Sequence, residues 1–207
     1  MKTIAIISQK GGTGKTTLTT GLAVEAAAAG RKTLILDIDP QANAANWGDR
    51  REDKERPTVV SCQPGRLPQA LQAAKDNGAQ LAFIDTPGTA ENPSMRAAEL
   101  ADLVLMPLEP HLFSLETLDT LKRLLKFGGK SRALVVLNKA PLQGGRHTDA
   151  AQIIKSQYGF DVAPAVLFSR IAHADAQNLG QTARELDPEG KAAQEMAALY
   201  KCLLSFL

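Results

Sequence analysis

The chemistry of this chain begins at its ninth residue. From there it reads Gln9-Lys10-Gly11-Gly12-Thr13-Gly14-Lys15-Thr16-Thr17. Gly11, Gly12 and Gly14 clear side chains from the backbone, so that successive N–H groups can face phosphate oxygens. Lys15 supplies a full positive charge for the β- and γ-phosphates of a nucleotide, and Thr16 a hydroxyl for Mg²⁺. Such a loop works only if a buried strand delivers it and a helix opens behind it, because the helix N-terminus adds partial positive charge. The sequence meets both demands. Residues 3–8 are a continuous apolar, Ile-rich run, read as a buried parallel strand. Residues 15–29 read as a helix closed by Gly30.

Two more strand ends carry carboxylates. Residues 33–37 run into Asp37-Ile38-Asp39-Pro40-Gln41, and residues 81–85 into Asp85-Thr86-Pro87-Gly88. Open parallel sheets hold ligands at the C-terminal ends of their strands, so both carboxylates are expected beside the glycine loop. A carboxylate of ordinary pKa is a weak base, and its main contribution to phosphoryl transfer is positioning. Taken alone, each segment also reads as an ordinary acidic turn. Val135-Val136-Leu137-Asn138-Lys139 is a further strand end. Asn138 offers a donor and an acceptor that match the edges of adenine, and it equally suits plain turn chemistry.

The elements that must position these residues alternate along the chain. Strands are expected at 58–62, 102–106 (ended by Pro107), 132–138 and 162–168. Helices are expected at 67–75, 94–100, 148–158, 172–180 and 190–206. Ser114 reads as the N-cap of a helix with Leu115, Leu118, Leu121, Leu124 and Leu125 on one face, stopped by Gly128-Gly129. The alternation predicts an α/β fold, a single domain over residues 1–207 with a mostly parallel, doubly wound sheet and helices on both faces. Residues 48–57 are rich in charges of both signs and read as a solvated loop. Trp47, just before them, is expected to be partly buried.

The bulk numbers exclude several classes. The chain has 207 residues, 44% apolar and 22% charged, which is an ordinary globular balance. No apolar run approaches the roughly 20 residues that span a bilayer. Cys62 and Cys202 have no metal-site spacing, and with no signal peptide both are expected as reduced thiols in the cytosol. His111, His147 and His173 are scattered. The net charge is only +2, but residues 120–148 contain no Asp or Glu. That stretch holds Lys122, Arg123, Lys126, Lys130, Arg132, Lys139 and Arg146. The run suits contact with a phosphate backbone without base reading, and it also suits a solvated, basic helix face.

The glycine loop departs from the strict phosphate-loop motif by having Gln9 where glycine is usual and Lys10 at its head. It resembles the deviant Walker A motif, K-G-G-x-G-K-[ST]-T, of the ParA/MinD superfamily of P-loop ATPases. Asp37 to Gln41 resembles that family's D-x-D-P-Q switch I, and Phe83 to Gly88 its Walker B and switch II. The segment Arg170-Ile171-Ala172-His173-Ala174-Asp175-Ala176, with Gly180 and Glu185-Leu186-Asp187-Pro188, resembles the tail of ParA partition proteins. Chain length and the start at the first strand resemble the small ParA subtype, which has no N-terminal DNA-binding extension.

The resemblance implies an ATPase with ATP/ADP and Mg²⁺ as cofactors. Lys10, Lys15 and Asp39 would be catalytic, with Lys10 reaching the partner's nucleotide across a homodimer and Asp39 orienting the attacking water. Gly11, Gly12, Thr13, Gly14, Lys15, Thr16 and Thr17 would bind the phosphates, and Asn138 the base. Thr16, Asp37 and Asp85 would serve the metal, with Gly88 allowing backbone movement near the γ-phosphate. The ATP-bound homodimer would bind non-specific DNA through Lys122, Arg123, Lys126, Lys130, Arg132 and Arg170. It would answer to a ParB-like or other cargo adaptor, in the cytoplasm and on the nucleoid.

Two other classes compete. MinD-like membrane-cycling ATPases end in a short basic amphipathic helix. Residues 199–207 are apolar with a single lysine, Lys201, which favours packing on the sheet. Metabolic or assembly enzymes on the same fold are the other class: nitrogenase-reductase and metal-carrier relatives need cysteines after the second carboxylate segment or at the dimer interface, where this chain has none, and tyrosine-kinase relatives carry a tyrosine-rich tail, where this chain has only Tyr200.

Overall fold

In the computed structural model the described residues are 1–54, 56–88, 92–127 and 132–207. Seven parallel strands form one sheet: β1 (Lys2–Ile6), β2 (Thr33–Asp37), β3 (Thr58–Ser61), β4 (Leu81–Asp85), β5 (Leu103–Leu108), β6 (Arg132–Leu137) and β7 (Asp161–Val162). Their order is β3-β2-β4-β1-β5-β6-β7. The chain winds outward from β1 in both directions, which makes the sheet doubly wound and sets the β1 end at a topological switch point.

Side chains alternate across the strands, so each strand feeds two cores. Ile4 and Ile6 of β1 face one core, and Ala5 and Ile7 face the other. The first face is covered by α1 (Lys15–Ala28), α2 (Asn43–Arg50) and, at the end of the chain, α10 (Lys191–Leu204). The second is covered by α3 (Leu67–Asp76), α4 (Asn92–Leu100), α6 (Leu118–Phe127) and α7 (Arg146–Ile153). Three short helical pieces complete the chain: α5 (Leu112–Leu115), α8 (Ile171–Asn178) and α9 (Ala183–Leu186). Aliphatic residues buried on both faces make the strands read as continuous apolar runs.

Several expectations need correction. Pro107 does not end its strand: it lies inside β5, opposite Val136. The β5 residues that face β1 include Leu105, which accepts from Ile7 N–H. Pro107, two positions on, faces the same side, but β1 has already left the sheet, so its missing N–H costs no ladder bond. The strand expected at 162–168 breaks early. β7 covers Asp161–Val162, and the chain returns only for a bridge between Ala140 and Phe168. Pro164 lacks a donor to continue the ladder.

Ser114 is not an N-cap. It lies within α5, with its hydroxyl beside the His111 ring at 3.2 Å. The helix expected at 148–158 starts at Arg146 and turns into a π-helical segment, Ile154–Tyr158, closed by Gly159 at φ 71°. Part of 48–57 is helical rather than loop, since α2 runs to Arg50. Trp47 on that helix is fully rather than partly buried. The expected stop at Gly128-Gly129 lies outside the described residues.

Candidate functional site

The loop that leaves β1 is held by its own carbonyls. Ser8 Oγ donates to Lys10 O at 3.0 Å and lies 2.8 Å from Thr13 Oγ1. Asn138, just beyond β6, donates its amide N–H to Thr13 O at 2.7 Å. Lys139 Nζ reaches Gly12 O. Gly14 takes a left-handed φ of 88° at the entrance to α1, and a Cβ there would fall 2.4 Å from Asn138 Nδ2. Only glycine meets both conditions.

Lys15 is buried at the first turn of α1, while Lys10 is exposed at the loop's head. Burial pulls the Lys15 ammonium below the usual lysine value, and the carboxylates of Asp85 and Asp39 push it back up. Asp85 ends β4 next to β1 and is fully buried. It accepts from Thr16 Oγ1 at 2.7 Å and Thr19 Oγ1 at 3.2 Å. Burial raises its carboxyl to about 7, opposed by the Thr16 hydrogen bond and reinforced by the charge of Asp37.

Asp37 and Asp39 divide their work. Asp37 accepts from Asp39 N–H at 3.0 Å and from Ala45 N–H at 2.9 Å. Ala45 lies in the first turn of α2, so this carboxylate caps the helix that follows switch I. Burial pushes the Asp37 carboxyl up, and its backbone N–H bonds hold it down. Asp39 accepts from Gln41 N–H at 2.9 Å in a tight turn and is only half buried. It lines an open cleft of about 650 Å³ together with Gly12, Lys15, Thr16, Gly88 and Lys139. A Cβ on Gly88 would lie 3.1 Å from the Gly11 backbone, so the turn after β4 is packed directly on the glycine loop.

The donors present suit Mg²⁺. Thr16 lines the cleft and its hydroxyl bonds the buried Asp85 carboxylate, so two hard oxygens lie together there, and a dication beside them would favour the ionised carboxylate that burial disfavours. Among the described residues no group of three or more His, Cys, Asp or Glu side chains could enclose a metal.

The basic residues are not brought together. Lys122 and Arg123 are exposed on α6, where Lys122 Nζ donates to Tyr158 O at 2.8 Å. Arg132 is exposed at the start of β6, the sheet edge away from the cleft. Arg170 is paired with Glu195 of α10 at 2.7 Å, on the sheet face opposite α6. Lys130 and the Lys126 side chain lie outside the described residues.

Sequence reasoning missed the clamp on α2. Arg51, expected in a solvated loop, has a side chain only 4% exposed. It meets Glu185 at 2.8 and 3.2 Å and donates to the carbonyls of Gly180, Arg56 and Asp53. Its guanidinium stacks 4.5 Å over Trp47. Trp47 Nε1 donates to Gln181 O at 2.9 Å. Glu185 also accepts from Thr182 N–H and Oγ1, a T-x-x-E capping box that was visible in the sequence. Lys139 was missed as a loop contact because the sequence offers it only as one of a run of cations.

Known proteins share the fold and overall sequence similarity along most of the chain. A family model described as CobQ/CobB/MinD/ParA nucleotide binding domain matches residues 4–195. The maintenance of carboxysome distribution protein A of Gloeobacter kilaueensis is 28% identical over 97% of this chain and 91% of its own length. The chromosome-partitioning ATPase Soj of Thermus thermophilus is 25% identical over 93% of this chain and 91% of its own. The MinD cell division protein of Aquifex aeolicus superposes with a TM-score of 0.80 at 19% identity, covering 99% of this chain and 98% of that one, a likeness of fold alone. With strand order, loop geometry and a family match along nearly the whole chain in agreement, this protein belongs to the CobQ/CobB/MinD/ParA nucleotide-binding domain family.

Proposed function

We propose that the chain is a positioning ATPase of the ParA type, which dimerises on ATP, binds DNA non-specifically and carries a cargo through a partner protein that stimulates hydrolysis. The observation that carries this reading is the contrast between the loop's two lysines. Lys15 is buried at the first turn of α1, where the charges of Asp85 and Asp39 favour its ammonium, fitted to its own protomer's phosphates, whereas Lys10 stands exposed beside Gly11, which lines the same cleft. An exposed cation there is free to enter a second copy's site. A cation on the phosphates stabilises transition-state charge, so hydrolysis would depend on assembly.

Within one protomer, Lys15 and the loop N–H groups bind the phosphates, and Thr16 and Asp85 would hold a magnesium ion, which would supply charge neutralisation at the phosphates. Asp39, on the half-buried turn after β2, orients the attacking water. The relatives named for chromosome partitioning and carboxysome distribution support a cargo-positioning role. A MinD-like membrane cycle is favoured less, because Met196, Leu199, Tyr200 and Leu203 of α10 are buried against the sheet instead of facing outward for lipid.

Light scattering coupled to sizing, and DNA binding by anisotropy, should be run with ATP, ADP and no nucleotide. A dimer that binds duplex DNA only with ATP is expected. An unchanged monomer with a non-hydrolysable ATP analogue bound would overturn the reading.

A further inference from the structure

Two neighbouring side chains beyond β6 grip two consecutive carbonyls of the phosphate loop, and one of them belongs to no motif. Asn138 holds Thr13 O, and Lys139 holds Gly12 O. Lys139 does so from a left-handed backbone, φ 51°. A side-chain-bearing residue keeps that conformation only where its surroundings impose it. Its Cε stands 4.0 Å from where a Cβ on Gly14 would be, so its stem also lies along the loop.

The consequence follows from peptide geometry. In a trans peptide unit the C=O and the next residue's N–H point in opposite directions. Holding the carbonyls of Gly12 and Thr13 toward the end of β6 turns the N–H groups of Thr13 and Gly14 the other way. The Lys10 carbonyl, held by Ser8 Oγ at 3.0 Å, does the same for Gly11 N–H. Those donors are the ones a phosphate needs, and presenting them in advance removes the ordering cost from binding.

We propose that Lys139 is a positioning residue of the nucleotide site: with Asn138 it forms a clasp that pre-orients the phosphate-loop amides before nucleotide arrives. The clasp rests on the nucleotide-site reading given above. It assigns Asn138 a loop-holding task beside the base contact expected of it, and it explains why the cation sits directly after that asparagine.

The test compares Lys139→Met, which keeps the stem and loses the ammonium, with Lys139→Arg, which restores a donor. ADP and ATP affinities are measured by calorimetry, and the amide resonances of Thr13 and Gly14 are followed in the nucleotide-free chain. In Lys139→Met both affinities should fall by about tenfold, the size expected for a charged hydrogen bond. The two amide signals should shift or broaden without nucleotide. Lys139→Arg should bring affinity and signals back. Unchanged ADP affinity in Lys139→Met would overturn the clasp. So would a loss seen with ATP alone, which would make the lysine a γ-phosphate contact, or a loss accompanied by a lower melting temperature that Lys139→Arg does not repair. A wild-type chain that binds neither nucleotide would instead defeat the functional reading, before any variant is examined.

Discussion

At the residue scale, the site separates charges by burial. Lys15 and Asp85 are both buried, where neither is well solvated, and Asp39 waits on a half-exposed turn. A residue that only positions water can be removed without emptying the site. Asp39→Ala is therefore expected to keep ATP affinity within about twofold and to lower turnover by at least about tenfold, leaving the ATP dimer to accumulate. Normal turnover in a phosphate-release assay would take Asp39 out of the mechanism. Glu25, on the buried side of α1, supplies a second case. Burial raises its carboxyl despite the ion pair with Arg184 at 2.9 Å, and its Oε1 is buried with no hydrogen-bond partner among the described residues. Because the folded state prefers the protonated form, this group costs stability as pH rises above the ordinary glutamate value. Glu25→Gln escapes that cost. Its melting temperature should gain on the wild type more at pH 7 than at pH 4.5, and a constant difference across that range would contradict the assignment.

At the element scale, α2 matters most. It begins at the Asp37 carboxylate and ends at Arg51, so both of its ends are fastened, and the Asp39 turn is strung between β2 and a fixed helix. The fastening at the far end comes from the tail: Gly180, Gln181 and Glu185. Gly180 has φ 68°, and a Cβ there would lie 2.6 Å from the Arg50 backbone. This gives the family-like tail a physical purpose. Removing the buried Arg51 guanidinium leaves the carbonyls of Gly180, Arg56 and Asp53 without their donor, while the partly exposed Glu185 keeps its Thr182 bonds, so the cost is about 2–3 kcal/mol. Arg51→Ala should lose roughly that much in urea unfolding, and Arg51→Lys should recover little, because an ammonium cannot reproduce the planar fork. A wild-type midpoint for Arg51→Ala would show the clamp to be idle.

At the scale of the whole molecule, the sheet sends its strand-end carboxylates to one edge, and the basic residues of α6 lie away from it. Among the described residues Lys122 and Arg123 lie on one face, and Arg170 is paired with Glu195 on the other. DNA contact is then expected to depend on Lys122 and Arg123 more than on Arg170. Replacing both by Gln removes two cations from each protomer of the ATP dimer, so it should weaken binding and flatten the salt dependence by a slope of up to about four, with basal hydrolysis unchanged. An unaltered slope in an anisotropy titration over salt would move the DNA surface off α6.

The phosphate loop, the strand-end carboxylates and the alternation of strands and helices were legible in the linear sequence, because each depends on neighbours close along the chain. Glycine spacing sets a local backbone, and period-two or continuous apolar runs set strands. What the tertiary structure decided depends on residues far apart. Arg51 reads as one more charge in a mixed run until Glu185, Gly180 and Trp47 surround it. Lys139 reads as part of a basic stretch until the sheet brings β6 beside the phosphate loop. Pro107 reads as a strand end until the departure of β1 frees its side of β5. A charge or a missing donor has no fixed meaning in sequence, since the cost of burying it is set by the partner that folding places within hydrogen-bond reach.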